Sequence, residues 1–160
     1  MAILVTAGRI ALAIAFKAQP LHMAWGTGDA GWDATMVAEP VTATALVAEL
    51  GRRALNTCEY VVPDSGGLIV LPSGSWTVSG TPTNNLHCKA IFDYTDASTA
   101  IIRELGLFLG TVVSGSVPGT QYYFQPGDLT NVGTLVALQR FSKIIRSSAL
   151  RQSFEFVITF

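Results

Sequence analysis

From residue 55 to the C-terminus, short apolar runs alternate with turn-forming segments, and this rhythm constrains the fold more than any other feature of the sequence. Two of the connections read PDSGG and PSG, which are compositions typical of β-turns. Short β-prone runs bounded by such turns indicate antiparallel strands. With LHMAW at 21–25, the predicted strands are residues 58–62, 68–71, 75–79, 86–94, 101–109, 134–141 and 153–160.

Two of these runs show a clear alternation of apolar and polar side chains, which is typical of a half-buried strand. In the first, one face carries Leu86, Cys88, Ala90, Phe92 and Tyr94. In the second, one face carries Phe154, Phe156, Ile158 and Phe160. The basic segment at 142–152 between the last two strands is predicted to be a loop or a sheet edge.

The N-terminal third has a different pattern, which predicts helix. Residues 6–19 place apolar side chains among alanines, and Pro20 ends the segment. Residues 44–53 predict a second helix, capped by a threonine and turning Leu46, Val47 and Leu50 inward. The predicted fold class is therefore α+β: one or two N-terminal helices followed by a mainly antiparallel β-sheet or β-sandwich, forming a single domain over residues 1–160.

The apolar N-terminus is predicted to be this first helix rather than a signal peptide. It has no basic n-region, and Arg9 and Lys17 interrupt its apolar run. The longest uncharged stretches elsewhere contain Pro, Gly, Asn and Ser throughout, whereas a membrane-spanning helix needs about 20 mostly apolar residues. We therefore expect no membrane association.

The charge content is low, and this bears on the partners. Only 13% of the residues are charged against 49% apolar, and the net charge is −1. No stretch gathers basic residues into a phosphate-binding patch, so we expect no nucleic acid partner. The surplus of apolar residues indicates burial against other proteins.

Two glycine-containing motifs resemble catalytic or cofactor-binding signatures. GTGDAG at 26–31 has the spacing of a dinucleotide fingerprint, but Pro40 leaves no room for the long helix that must follow. The DSGG sequence around Ser65 resembles the surroundings of a serine nucleophile, but the chain is too short for a two-barrel protease. We expect a glycine-rich loop and a turn, respectively, and neither enzymatic activity nor a cofactor.

The residues that could bind a metal are dispersed. They are His22, His87, Cys58 and Cys88, and they form no HxH, HxxxH or CxxC pair that would place two ligands together. His87 and Cys88 are adjacent on a predicted strand, so their side chains face opposite sides. We expect no metal site and interpret both cysteines as core thiols.

The remaining functional signal is a set of aromatic residues in or beside turns, where amphipathic rings tend to anchor interfaces. Arg103 and Glu104, one on each face of their strand, are expected to brace the sheet or to cross a subunit boundary. The final strand is a third candidate contact. The predicted interface residues are Trp25, Trp32, Arg103, Glu104, Tyr122, Tyr123, Phe124 and Phe160. The alternative is a small β-sandwich that stacks these rings on glycans.

Several short motifs follow one another along the chain, namely LHMAWGTG, ALVAELGRRALN, IRELGLF, YFQPG and VITF. Taken in this order, they resemble the N-terminal, tail-attaching domain of tail-collar fibre proteins of Mu-like and related contractile-tail bacteriophages. LHMAWGTG at 21–28 is similar to the family's "thMAvGdG" strand, and ALVAELGRRALN at 45–56 to its "tLxxElxRxxlN" segment. IRELGLF at 102–108 resembles the distinctive "iREiGLF" strand. YFQPG at 123–127 and VITF at 157–160 resemble the later loop and last strand. Trp25 departs from the pattern, because the family has a small residue there.

This resemblance implies a structural virion protein without enzymatic activity. A family fibre would continue into a shaft after Phe160, so the expected role is an adaptor or attachment component of the tail, baseplate or neck. The expected partners are other copies of the chain, as a trimer or hexamer, and other phage tail, baseplate or neck proteins. The expected location is the virion, after assembly in the host cytoplasm.

Overall fold

The computed structural model describes residues 2–160 and has the α+β class that the sequence predicts. Strands account for 44% of the residues and helices for 12%, and an N-terminal helix precedes mostly antiparallel sheets. The elements are α1 (Thr6–Lys17), β1 (Leu21–Gly26), β2 (Glu49–Ala54), β3 (Thr57–Pro63), β4 (Ile69–Leu71), β5 (Gly74–Val78), β6 (Asn85–Phe92), β7 (Ile101–Leu109), β8 (Val112–Val113), β9 (Leu129–Asn131), β10 (Thr134–Ile145) and β11 (Gln152–Thr159), with short 3₁₀ turns at Ala30–Asp33 and Pro126–Asp128.

The predicted second helix at 44–53 is wrong. β2 occupies Glu49–Ala54 and pairs antiparallel with β1, so that Gly51 lies opposite Trp25. Gly51 lowers the stability of a helix at this point. Pairing with β1 gives the backbone N–H and C=O groups of β2 the hydrogen bonds that a helix would have formed internally. The helical spacing of the apolar residues is therefore overridden by the sheet.

The chain divides into two compact units, the first formed by residues 2–19, 55–90 and 153–160. Its five-stranded sheet has the order β11-β6-β3-β5-β4, in which β6, β3, β5 and β4 pair antiparallel. The C-terminal end of helix α1 contacts other residues of this unit. Phe16 meets the ring of Phe160 edge-on, with centroids 5.3 Å apart, and the Lys17 ammonium lies 4.3 Å from the ring centre of Tyr60.

The second unit contains residues 20–54 and 91–152. Its four-stranded antiparallel sheet has the order β10-β7-β1-β2, and β8 and β9 form a separate two-stranded ribbon. β1 is buried at every position and β7 at all but its two ends, so these central strands are covered on both faces. One part of the core packs Leu135 and Leu138 against Ala24, Leu46 and Phe108.

The eight predicted strands are all present, and residues 2–160 contain three more. β2 lies in the segment expected to be helical, and β8 and β9 lie in a stretch rich in Gly, Ser and Pro. β10 extends to Ile145, so the basic connection begins as an edge strand. No helix in residues 2–160 is long and apolar enough to cross a membrane.

We predict that deleting residues 153–160 abolishes cooperative folding. The deletion removes nearly all of the strand that pairs with β6, and it removes the ring of Phe160 from Phe16. Thermal unfolding followed by circular dichroism is the measurement. Removing the exposed residues 2–4 is the control and should leave the melting temperature unchanged. A truncated chain that melts cooperatively at the temperature of the full chain would show that β11 is peripheral.

Candidate functional site

The sequence-predicted interface residues differ widely in exposure. Trp25 and Glu104 have no exposed surface, and Trp32 and Arg103 are almost fully buried. Tyr123, Phe124 and Phe160 are partly buried, whereas Tyr122 is 67% exposed. Their role at an interface stays a prediction, but the contacts that the buried ones make within residues 20–54 and 91–152 define how the second unit is braced.

Glu104 is a fully buried carboxylate on β7 that accepts hydrogen bonds from the backbone. The amide of Val47 donates to Oε2 at 3.0 Å, and the amide of Ala48 donates to Oε1 at 2.8 Å. A buried ionised group is costly unless it is hydrogen-bonded, and hydrogen bonds to charged groups are stronger than neutral ones. Glu104 therefore fixes the segment that leads into β2.

Gly26 makes room for this carboxylate. A Cβ at this position would lie 2.5 Å from Glu104 Oε1 and 2.6 Å from the carbonyl oxygen of Ala48. Both partners are held by other bonds, because the amide of Thr27 also donates to the carbonyl of Ala48 at 2.9 Å. Only glycine fits here, so the glycine of the fingerprint-like motif has a packing role.

Arg103, on the opposite face of β7 from Glu104, binds Asp33 through two hydrogen bonds. Its Nε and Nη2 donate to the two carboxylate oxygens at 2.8 and 2.9 Å, and Nη1 donates to the carbonyl of Thr27 at 3.1 Å. Lys143 approaches the same carboxylate at 3.2 Å. The hydrogen bond from Arg103, followed by the contribution of Lys143, holds the pKa of Asp33 far below its usual range. Arg103 and Glu104 thus make their contacts from opposite faces of β7. The expectation that they brace the sheet or cross a subunit boundary stays a prediction.

Arg52 on β2 is fully buried and connects the strand to its surroundings. Its guanidinium binds both carboxylate oxygens of Glu49, at 2.8 and 2.7 Å, and donates to the hydroxyl of Thr111 and the carbonyl of Val132. It also lies 3.9 Å from the ring centre of Phe108. Four polar contacts and an aromatic face compensate for burying this charge.

Glu49 and Arg52 have the i,i+3 spacing of a helical pair, but both lie on the strand β2, where they form an ion pair. Residues three apart on a regular strand face opposite sides. The register between β1 and β2 passes from Gly51 to Glu49 between neighbouring positions of β1, so Leu50 is an extra residue in a β-bulge. The bulge returns the side chains of Glu49 and Arg52 to one face.

Trp25 forms the centre of an aromatic cluster. Its ring stacks on Phe92 with centroids 3.7 Å apart, and its indole N–H donates to the Tyr123 hydroxyl at 2.9 Å. The Arg146 guanidinium lies 5.0 Å from the ring centre. Burial raises the pKa of Tyr123 to about 12, so its hydroxyl stays protonated. Trp25 thus organises the interior.

The motifs that resemble catalytic signatures have local structural roles. In the PDSGG turn, the carboxylate of Asp64 accepts from the amide of Gly66 at 2.9 Å, and its carbonyl accepts from Gly67 at 2.9 Å. The glycine-rich loop at 26–31 leads only into the four-residue 3₁₀ turn Ala30–Asp33. Within residues 2–160, no group of three or more His, Cys, Asp or Glu side chains could hold a metal ion.

Sequence reasoning missed an exposed apolar segment at the N-terminus. The only helical residue of α1 that is fully buried is Ala13, and large apolar side chains before and along the helix face outward. The exposed set is Ile3, Leu4, Val5, Leu12 and Ile14. The available signal was the scarcity of polar residues around the helix, since a surface helix normally carries polar residues on its outer face.

These features define a class of protein: a small α+β assembly component with a tightly braced interior and an exposed apolar segment. A family model described as "Baseplate wedge 3 tail fiber network component" matches residues 1–160, and the chain belongs to this family. No curated protein matches the chain. The protein is therefore a structural component of the tail and baseplate of a bacteriophage particle, where it interacts with other tail or baseplate proteins.

The family match confirms the phage-tail assignment that the motifs implied. It does so at the level of the tail and baseplate, because the matched family is not the tail-collar fibre family that the motifs resemble.

We predict that Glu104→Ala lowers the free energy of unfolding by about 3 kcal/mol, because it leaves the amides of Val47 and Ala48 without their acceptor. Urea unfolding at pH 7 is the measurement. The control is Glu59→Ala at a half-buried strand position, for which a loss below about 1 kcal/mol is expected. Equal losses for the two variants would contradict the bracing role of Glu104.

We predict that His22 makes the fold less stable in mild acid. Burial, followed by the nearby charge of Arg52, lowers the pKa of His22 from 6.5 to about 4, and its Nδ1 has no hydrogen-bond partner within residues 2–160. Below pH 6.5, His22 therefore binds a proton in the unfolded chain, whereas in the folded chain it stays neutral until the pH approaches 4. The free energy of unfolding should fall by about 2 kcal/mol between pH 7 and pH 5.

Urea unfolding of the full chain and of His22→Gln at the two pH values tests this prediction. The variant should lose markedly less stability than the full chain, because it lacks the titrating group. Carboxyl groups whose pKa values are lowered in the fold, such as Asp33, Asp64 and Asp93, protonate below this window. An unchanged pH dependence in the variant would rule out His22 as the cause.

Proposed function

We propose that the protein is an attachment component that docks fibres or other tail proteins onto the baseplate, and that it assembles as a trimer or hexamer in the host cytoplasm. Membership of a baseplate tail-fibre-network family supports the docking role. The resemblance of residues 21–28 and 102–108 to the tail-attaching domain of collar fibres supports it independently. We propose no enzymatic activity and no nucleic acid or membrane partner.

The observation that carries this proposal is the exposed apolar surface at residues 3–14, which we call the N-terminal apolar segment. It contains five large, exposed apolar side chains within twelve residues, namely Ile3, Leu4, Val5, Leu12 and Ile14. A concentration of large exposed apolar side chains in one segment indicates a protein–protein contact. A short helix also gains little stability by itself in water, so a partner that covers it would stabilise it.

The arrangement of side chains on α1 favours close contact with a partner. Ile10, Ala13 and Lys17 are among the more buried residues of α1 and recur at the helical spacing of one face. The outward side carries the small residues Ala11 and Ala15, with Leu12 and Ile14 toward its edges. Small residues let a partner backbone approach, and the flanking apolar side chains enclose it.

The charges of α1 indicate the chemistry of the partner. The helix carries Arg9 and Lys17 and no acidic residue, and Lys17 already contacts Tyr60. Arg9 is exposed, so it is free to meet a carboxylate at the rim of an interface. We propose that the partner of this segment is another baseplate or tail-fibre protein with an apolar groove and an acidic rim.

Tyr122 is a second proposed contact. Its neighbours are held in place, because the Tyr123 hydroxyl accepts from Trp25 and the backbone of Phe124 pairs with that of Arg52 at 2.8 and 2.9 Å. An exposed aromatic ring on a fixed loop loses little conformational freedom on binding and is therefore a favourable interface residue.

We also propose that residues 1–160 behave as a single tail-attachment domain. The chain crosses between its two compact units after residues 19, 54, 90 and 152, which makes four crossings. Units joined in this way are not independent segments of the chain.

The proposed docking role is tested with Leu12→Gln in the phage. Leu12 is 48% exposed, so the change should leave the melting temperature of the purified chain unchanged. It should lower the number of copies per purified tail at least several-fold, because a polar amide would be buried in the interface. Quantitative mass spectrometry of purified tails is the measurement.

The matched control is Leu68→Gln, which makes the same change at a turn residue that is 97% exposed. It should leave the copy number unchanged. Normal incorporation of Leu12→Gln would overturn the docking role of the N-terminal apolar segment. Light scattering of the purified chain tests the oligomer separately, and a monomer at all concentrations would contradict self-assembly.

A further inference from the structure

Cys58 and Cys88 lie directly opposite each other in the five-stranded sheet. Cys58 on β3 pairs in register with Cys88 on β6, and their sulfur atoms are 4.0 Å apart. Both thiols are free. We propose that this pair is a site of oxidative modification, at which a small-molecule disulfide converts the two thiols into an intrachain disulfide that joins β3 to β6.

The geometry of the strand pair suits this bond. Directly opposite residues on antiparallel strands have Cα atoms about 4.5 or 5.5 Å apart, and their side chains point to the same face. Disulfides span Cα separations of about 4.4–6.8 Å. The register therefore gives the pair a Cα separation in the range of disulfides, and the sulfur atoms already lie 4.0 Å apart.

The two cysteines have different environments, which sets the order of reaction. Cys58 is half-buried, whereas Cys88 has no exposed surface. The hydrogen bond from the Cys88 thiol, with a smaller contribution from the Lys17 ammonium, lowers the pKa of Cys58. The same hydrogen bond and burial raise the pKa of Cys88. Cys58 is thus the attacking thiolate and Cys88 the resolving thiol.

With oxidised glutathione as the oxidant, the exchange balances in two steps. The Cys58 thiolate attacks one sulfur of glutathione disulfide, forms a mixed disulfide and releases one glutathione thiolate. Cys88 gives its proton to that thiolate and attacks the Cys58 sulfur, which forms the Cys58–Cys88 bond and releases a second glutathione thiolate. The protein loses two electrons and two protons, and one glutathione disulfide becomes two molecules of glutathione.

The new bond would close a loop that contains β4 and β5, because both lie between the two cysteines in the chain. Closing such a loop lowers the conformational entropy of the unfolded chain, and a disulfide that closes a loop of this length commonly stabilises a fold. A virion component leaves a reducing cytoplasm when the host lyses, so oxidation at that point would stabilise the assembled particle; this last step rests on the proposed function.

Intact-mass spectrometry of the folded, full-length chain tests the modification. After equilibration with excess oxidised glutathione at pH 8, the mass should fall by two hydrogen atoms, and maleimide labelling under denaturing conditions should find no free thiol. The melting temperature should rise by about 5 °C or more and return after treatment with dithiothreitol. A chain that keeps two free thiols, or that only gains glutathione, would overturn the proposal.

Two single variants test the order of attack. Cys88→Ala keeps the half-buried thiol of Cys58 but removes the hydrogen bond that lowers its pKa. It should therefore react more slowly than the full chain, and it should accumulate one glutathione adduct because no resolving thiol remains. Cys58→Ala should remain unmodified while folded, because Cys88 is buried. The opposite pattern would contradict the assignment of Cys58 as the attacking group. These outcomes are independent of the docking role, because they concern the purified chain alone.

Discussion

The second unit depends on the buried carboxylate of Glu104. A charge with no exposed surface is tolerated only where fixed donors surround it, and here the donors are the amides of Val47 and Ala48. This requirement holds the segment before β2 against β7 and requires glycine at residue 26. β2 begins directly after this segment, at Glu49, and pairs as a strand with β1. The network of Arg52 then continues from β2 to Thr111 and Val132.

The braced interior gives the protein a fixed shape, and the exposed N-terminal apolar segment gives it a surface that a partner can cover. Arg52, Arg103 and Glu104 make their contacts within the second unit, and Trp25 is enclosed by aromatic rings there. Such contacts favour one conformation of the strands. In the first unit, α1 and the residues before it leave five large apolar side chains exposed. A structural component of a phage baseplate needs both properties, a fixed shape and surfaces that become buried on assembly.

Much of the fold could be predicted because strands and turns are encoded locally. Alternation in β6 placed Leu86, Cys88 and Phe92 correctly on a buried face. Tyr94, predicted on the same face, lies beyond the end of β6 and is exposed, and His87 on the other face is also buried. β2 was missed because its spacing is helical and only its partner strand makes it extended. β8 and β9 were missed because two- and three-residue strands in a polar loop have no periodicity to read. Among the candidate interface residues, the sequence indicated aromatic character but not exposure. It therefore could not distinguish the buried Trp25 from the exposed Tyr122.

The sequence by itself determined the α+β class, the positions of the longer strands, the helix at the N-terminus and the resemblance to phage tail proteins. These properties follow from local composition, periodicity and short motifs. The tertiary structure alone decided that Glu49 and Arg52 share a face, that Trp25 is buried while Tyr122 is exposed, and that Cys58 lies opposite Cys88. The physical reason is that register, bulges and burial depend on pairing between segments distant in the chain, and no local pattern encodes which partner a strand will have.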